Sequence, residues 1–286
     1  MYIIIMTVFS FNNEKIKENL LDNKVDEQKE NKINDKNQNK KFDKNASTID
    51  SSVDDANWGY DLYPERRGRY KPTFFRKLIG EGKEEITRLK CEGNVYKCIK
   101  NSQLVQLMMA ALKSSGCEID MRRHISCEIC DYSVKGGYDA QLNQIVVCQN
   151  TAHSESKVQG VLAHEMIHMF DYCRNKLDFK NIDHLACTEI RAANLVHCSF
   201  MSAMIQGTAS PFHIKKTHQD CVKNMATASI MGVRKVTEQE AKIAIEKVFP
   251  MCYNDLEPIG RRIRRNSLDI SRAYMEAPLY GYIHDH

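Results

Sequence analysis

The residues of this chain best suited to chemistry are two histidines and a glutamate within one apolar stretch, V-Q-G-V-L-A-H-E-M-I-H-M-F-D-Y-C. His164 and His168 are four residues apart, so on a helix both imidazoles can reach a single Zn²⁺. Glu165 lies beside them, outside the set of ligands, where it can take a proton from a water bound to the metal. The H-E-x-x-H pattern therefore predicts a metallopeptidase that hydrolyses peptide bonds, with His164 and His168 as ligands of one catalytic Zn²⁺ and Glu165 as the base.

A catalytic zinc needs a third protein ligand and an open position for water. We expect Glu189, because it lies on the next predicted helix, about twenty residues after His168. This spacing is similar to that of zinc peptidases in which two helices pack around the metal. Asp171 and His184 are the alternatives. Asp171 is seven residues after His164, about 10 Å along one helix axis, which is too far for a third ligand on an unbroken helix. Asp171 is therefore expected behind the ligands, orienting a ligand histidine or an arginine.

Apolar periodicity and capping residues predict the helices that position these side chains. The motif helix begins at Ser154, and its inward face carries the motif together with Val161 and Tyr172. The other predicted helices cover 102–115 with Gly116 as the stop, 183 to about 205, roughly 214–231, and a stretch from Thr237 to just before Pro250 that opens with the capping box T-E-Q-E.

Short strands are predicted between the first two of these helices. Residues 124–130 form a candidate strand, and residues 138–148 form a hairpin with its turn near Asn143. The strand that ends at Cys148 is expected to offer an edge with which an extended substrate pairs. This order of elements predicts an α+β, zincin-like fold, with a small antiparallel sheet packed on the active-site helix and on further helices.

Composition divides the chain of 286 residues into four parts. Residues 1–57 are predicted to be a disordered Asn/Lys-rich tail, because they are too polar to bury a core. Residues 58–100 are expected to be a linker or docking segment, 101–258 the metallopeptidase domain, and 259–286 a basic tail. No apolar run reaches the length of a membrane span, and the net charge of +4 is too small to indicate nucleic-acid binding.

The chain contains eleven cysteines, all after residue 90. Such a count predicts several structural disulfides and an oxidising compartment, with free buried thiols as the alternative. The odd number leaves at least one thiol unpaired in a monomer. Cys127-x-x-Cys130 resembles half of a zinc ribbon, but no second C-x-x-C completes it.

Other polar residues are expected to be structural. These are His124, His153, His197, His213, His218, Asp139 and Arg191. The arginine pairs at 261–262 and 264–265 could contact anionic lipid, but a solvated surface is the expectation for such a run.

From about residue 103 to 257 the chain resembles the mitochondrial inner-membrane metalloprotease family that assists ATP synthase assembly. The resemblance is carried by S-C-E-I-C, G-G-Y-D-A, I-V-V-C-Q-N, A-H-E-M-I-H-M-F-D, H-L-A-C-T-E-I-R-A-A-N-L and C-Y-N-D-L-E-P. It implies a protease on the intermembrane-space side of the inner membrane, attached peripherally and containing disulfides. It also implies protein substrates and a chaperone-like role with subunits of the ATP synthase membrane sector.

Two alternatives to this zinc endopeptidase are an assembly chaperone in which proteolysis is dispensable and a cytosolic zincin with reduced thiols. The Asn/Lys-rich start and the W-G-Y-D-L-Y-P segment do not match the family.

Overall fold

The computed structural model of the protein describes residues 62–66, 83–198, 214–264 and 267–283, together with the backbone of residues 4–8. Eight helices lie in these ranges: α1 Lys83–Asn101, α2 Gln103–Ser114, α3 Met121–His124, α4 Glu155–Arg174, α5 Ile182–Ala192, α6 Ile214–Val233, α7 Glu238–Asn254 and α8 Asp269–Glu276. The strands are β1 Ile4–Val8, β2 Ile125–Glu128, β3 Val134–Asp139 and β4 Gln144–Cys148. A π-helical turn, Ala193–His197, continues α5, and a 3₁₀ turn, Ala277–Tyr280, follows α8.

Helix starts follow the predicted capping residues. The Ser154 side chain accepts the backbone N–H of Lys157 at the start of α4. Thr237 and Glu240 form the predicted capping box at the start of α7. Gly116 has a φ of +83°, the left-handed conformation that suits a residue after a helix. The helix predicted from 183 to about 205 is shorter: α5 ends at Ala192, the π-helical turn ends at His197, and Cys198 is extended. Residues 199–205 lie outside the described residues.

One helix end differs from the prediction. Helix α7 does not stop before Pro250 but continues through it to Asn254. Proline removes one backbone hydrogen bond there. Tertiary contacts outweigh that loss, because Cys252 forms a disulfide with Cys187 of α5 and Tyr253 is buried in the core.

The sheet has the strand order β1-β3-β4-β2. The predicted α+β class and the hairpin of β3 and β4 are confirmed, but the sheet is mixed, because β2 pairs in parallel with β4. The connection between β2 and β3 reverses the chain, and β4 then inserts between them. Strand β4 is consequently bonded on both sides and supplies no edge, so the expected substrate edge at Cys148 is wrong. Strand β1 pairs antiparallel with β3 at the outer side of the sheet.

Helix α4 runs through the centre of the protein, and every residue from Val161 to Asp171 is buried. Strand β3 crosses it closely at Gly136, where a Cβ atom would come within 2.3 Å of Val161 Cγ1 and 2.7 Å of the Val146 carbonyl oxygen. Only glycine lets the strand and the helix approach this far. Helices α2 and α5 also pack on α4, so the motif is enclosed by apolar core except on its ligand face. Tyr172, predicted on the inward face, is 40% exposed.

Ten of the eleven cysteines form disulfides, as predicted. The bonds are Cys91–Cys127, Cys117–Cys173, Cys130–Cys148, Cys187–Cys252 and Cys198–Cys221. They close loops of 18 to 65 residues, and constraints of that length stabilise a fold by about 3 to 4 kcal/mol each in the chain-entropy picture. The remaining cysteine, Cys98, is buried in α1.

Segments on both sides of the predicted protease domain pack onto its core. Helix α1, within the predicted linker, packs on α4, and α8, within the predicted basic tail, packs on α2. Two described arginines of that tail have partners within the protein: Arg262 stacks on Tyr253 at 4.1 Å, and Arg264 pairs with Asp269 at 2.8 Å. Within the described ranges, no helix combines the length and apolar character needed to cross a bilayer.

Candidate metal centre

Helix α4 presents His164 and His168 from successive turns, with their Nε2 atoms 3.0 Å apart. Both rings are buried, at 2% and 0% exposure. Burial lowers the pKa of His164 to about 3 and the pKa of His168 well below its usual value. Both rings are therefore neutral near pH 7, the form in which imidazole binds a metal.

Helix α5 brings Glu189 to the same point. Its two carboxylate oxygens lie 3.7 Å from His164 Nε2 and 3.7 Å from His168 Nε2. A tetrahedral Zn²⁺ with bonds of about 2.0–2.1 Å separates its ligand atoms by roughly 3.3 Å. The observed distances of 3.0 and 3.7 Å bracket that value, so the three side chains form a group able to hold one metal ion.

The Glu189 carboxylate is buried without a matching donor. Among the described residues, no group donates to either oxygen in hydrogen-bond geometry, and the residue is 0% exposed. Burial raises its pKa well above the usual value, and the Ser229 hydroxyl beside it offsets part of the rise. Two oxygens left unbonded beside two neutral imidazoles are costly in a protein interior unless a cation joins them. This donor set of two nitrogens and a carboxylate suits Zn²⁺.

A chain of hydrogen bonds supports His168 from behind. His168 Nδ1 lies 2.9 Å from the Thr188 hydroxyl, which donates to Asp171 at 2.8 Å. Asp171 in turn accepts from Arg191 at 2.9 and 3.0 Å. Burial raises the pKa of Asp171, and the Arg191 guanidinium opposes that rise. Asp171 is therefore bound to an arginine and contacts His168 only through Thr188.

His164 has a different partner. Its Nδ1 lies 2.7 Å from Nε2 of His197, which is the last residue of the π-helical turn after α5. Burial lowers the pKa of His197 well below its usual value, and the neighbouring His164 and Lys135 lower it further. Helix α5 and its π turn therefore carry Glu189 and the partners of both ligand histidines.

The segment 62–66 reaches the site from the other side. The Tyr63 hydroxyl donates to the Gly136 carbonyl at 2.7 Å, and the residue is fully buried. Burial raises the pKa of Tyr63 well above its usual value, and the Glu165 carboxylate contributes to the rise. Arg66 anchors the segment through ion pairs to Glu128 and Asp139 at 2.9 and 2.7 Å.

The structure thus brings together His164, His168 and Glu189, with Glu165 beside the histidines on α4. His184 lies apart from this group, and its Nδ1 accepts the backbone N–H of Asp178 at 3.1 Å. Sequence reasoning did not assign Thr188, His197 or Tyr63 to the site. Thr188 is next to Glu189 and was the easiest to find, since a ligand histidine usually has a polar partner for its second nitrogen. Nothing local in the sequence marks His197 or Tyr63.

An α+β fold with an H-E-x-x-H helix and a carboxylate on the next helix defines a peptidase of the metal-dependent type. The chain belongs to the peptidase M76 family, whose profile matches residues 89–260.

The relatives agree with this assignment. The chain is 41% identical over 213 residues to the mitochondrial inner membrane protease ATP23 homolog of Danio rerio, covering 74% of this chain and 81% of that protein. It is also 41% identical over 204 residues to the human homolog, covering 70% and 79%, respectively. The Schizosaccharomyces pombe mitochondrial inner membrane protease atp23 is 35% identical over 176 residues, covering 61% and 93%. No solved structure matches the chain.

Proposed function

We propose that this peptidase is a zinc-dependent endopeptidase of the mitochondrial inner membrane that processes or degrades proteins there. His164, His168 and Glu189 hold the metal and Glu165 is the catalytic base. The observation that carries the proposal is the buried Glu189 carboxylate, without a donor in hydrogen-bond geometry and 3.7 Å from each ligand nitrogen. The relatives, which are named as mitochondrial inner membrane proteases, support the location.

The protein groups divide the chemistry as follows. Zinc in this site would polarise the peptide carbonyl and lower the pKa of water. Glu165 takes the proton from the attacking water and returns it to the leaving amine. Thr188 and Asp171 keep the His168 ring in one orientation during this transfer, because Arg191 holds the Asp171 carboxylate in place.

The protease is proposed to act from the intermembrane-space side. Five disulfides support this assignment, since such bonds persist in oxidising compartments and are rare in the cytosol. Peripheral attachment to the membrane is proposed on the family resemblance alone. Release of the protein from mitochondrial membranes by alkaline carbonate would support peripheral attachment, whereas retention in the pellet would contradict it.

Glu165→Gln tests the catalytic assignment. It should lower cleavage of a protein substrate by about 100-fold or more while zinc remains bound. Glu155→Gln is the matched control, since Glu155 is an exposed glutamate at the start of the same helix, and it should leave both properties unchanged. Glu189→Ala should lose the metal. Equal cleavage by wild type and Glu165→Gln would refute the assignment.

A role in assembling the ATP synthase membrane sector is proposed from the family resemblance. Glu165→Gln separates this role from proteolysis, because it keeps the fold and the metal. In cells that lack the native protein, normal ATP synthase assembly with Glu165→Gln, followed on native gels, would show a chaperone-like role. Loss of assembly would make proteolysis the essential step.

A further inference from the structure

The two ligand histidines depend on the same neighbouring element for their second nitrogens. Thr188, on α5 itself, meets His168 Nδ1, and His197, on the π turn that extends α5, meets His164 Nδ1. A metal-binding histidine needs such a partner, because the hydrogen bond at one nitrogen determines which nitrogen is free to bind. Thr188 is held by a hydrogen bond to Asp171, which in turn binds Arg191. The corresponding support for His164 requires that His197 is also held in place.

The geometry of His164 specifies the role of its partner. Its Nε2 faces His168 and Glu189, so Nδ1 must carry the ring proton when Nε2 binds a metal. That proton points at His197 Nε2, 2.7 Å away, which accepts it. The two rings lie 4.8 Å apart between centroids with a tilt of 36°, an in-line arrangement rather than a stack. His197 therefore selects the tautomer and the rotation of the His164 ring.

The backbone at His197 is held in place through the next residue, Cys198. The π turn closes with a bond of 2.9 Å from the Cys198 N–H to the Ala193 carbonyl, and such wide turns often occur at functional sites. Cys198 forms a disulfide with Cys221 of α6, and its carbonyl accepts from His218 Nε2 at 2.7 Å. The residue immediately after His197 is thus joined to α6 both covalently and by a hydrogen bond.

We propose that His197 is a positioning residue for the metal ligand His164, and that the Cys198–Cys221 disulfide holds it in place. Zinc affinity in this protein then depends on one particular disulfide as well as on the ligands. This inference rests on the proposed zinc site.

The test measures zinc affinity of the purified full-length chain by competition with a chromogenic chelator, so that it does not depend on proteolysis. His197→Ala should weaken zinc binding by about 10- to 100-fold. His197→Gln should recover part of the loss, because its amide oxygen can accept the Nδ1 proton. His153→Ala, at an exposed histidine, is the matched control and should bind zinc as wild type does. Cobalt-loaded His197→Ala should also show shifted d–d absorption bands.

A second pair of variants tests the disulfide. Cys198→Ala/Cys221→Ala should weaken zinc binding by about tenfold. Cys91→Ala/Cys127→Ala, which removes the bond between α1 and the outer strand β2, should lower the melting temperature and leave the affinity near wild type.

The outcomes separate the two proposals. Wild-type affinity in His197→Ala overturns the positioning role while the zinc site stands. A wild-type protein that binds no zinc overturns both. If His197→Ala fails to fold, His197→Leu, which fills the space without an acceptor for the Nδ1 proton, decides by the same measurement, and wild-type zinc affinity in that variant overturns the inference.

Discussion

Gly136 lies where β3 crosses the metal helix, and replacing it with alanine tests whether this close contact positions the site. The added Cβ would lie 2.3 Å from Val161 Cγ1 and 2.7 Å from the Val146 carbonyl oxygen. Real Cβ atoms do not approach other atoms this closely, so β3 or α4 must move. Val161 is one turn before His164, and a displaced helix would misplace the first ligand.

The expected cost follows from the two contacts. Adding a methylene to a well-packed core costs about 1–3 kcal/mol, and the upper end applies here, since one neighbour is a β-branched side chain and the other is backbone. For a domain of this size, a loss of about 3 kcal/mol lowers the melting temperature by roughly 6–12 °C. Urea unfolding with the disulfides intact measures the free energy, and chelator competition measures the accompanying loss of zinc affinity.

Two variants make the test specific. Gly160→Ala, on α4 itself, places its Cβ in open space and should stabilise the protein by up to about 1 kcal/mol, because alanine favours the helix over glycine. Gly136→Ala/Val161→Ala removes the closest contact, so the double variant should be less destabilised than the sum of the single ones by at least about 0.5 kcal/mol. Additive effects, or a Gly136→Ala protein as stable as wild type, would refute the reasoning.

Three further outcomes are expected. Asp171→Asn and Arg191→Met should each cost up to about 3–5 kcal/mol in urea unfolding, since either breaks the buried Asp171–Arg191 ion pair, and Asp255 beside Arg191 and Arg174 beside Asp171 offset part of the loss. The double variant should cost less than the sum of the two, and additivity would contradict the pairing. Zinc binding at pH 6 should release about one proton, measured by calorimetry in buffers of different ionisation enthalpy. Burial raises the pKa of Glu189, so a proton competes with the metal for this carboxylate and the affinity should fall as pH decreases. Burial lowers the pKa of both histidines, so they add little to this proton release; release of no proton would refute this. Burial raises the pKa of Cys98 to about 11, so the native protein should resist alkylation at pH 8 and take up one label only after unfolding without reductant; fast labelling of the native protein would contradict the burial.

The features that could be predicted from the sequence alone are those that depend on residues close together in the chain. The pairing of His164 with His168 follows from the pitch of one helix, and the start of that helix follows from Ser154. Glu189 could be anticipated because two consecutive helices with a short connection pack side by side. The same local signals predicted the hairpin of β3 and β4 and the capping box at Thr237.

Contacts between distant residues required the tertiary structure. The parallel pairing of β2 with β4 arises because β4 lies between β3 and β2. The residue pattern of each strand would be the same if β2 paired with β3 instead. The continuation of α7 through Pro250 is accompanied by a disulfide from Cys252 to Cys187 of α5, a contact that the local pattern does not contain. Eleven cysteines indicated disulfides, but pairing depends on which sulfur atoms the fold brings together.

The residues of the candidate site also differ in whether the sequence alone could indicate them. The candidate ligands His164, His168 and Glu189 could be proposed from the sequence, because a metal demands particular atoms at particular helical spacings, and the structure brings these three side chains together. The groups that orient them were not, because any polar side chain at the right point in space can fill that role. His197 meets His164 from 33 residues away and Tyr63 reaches Gly136 from 73 residues away. Only the folded chain brings His197 to His164 and Tyr63 to the strand that packs on the helix of His164.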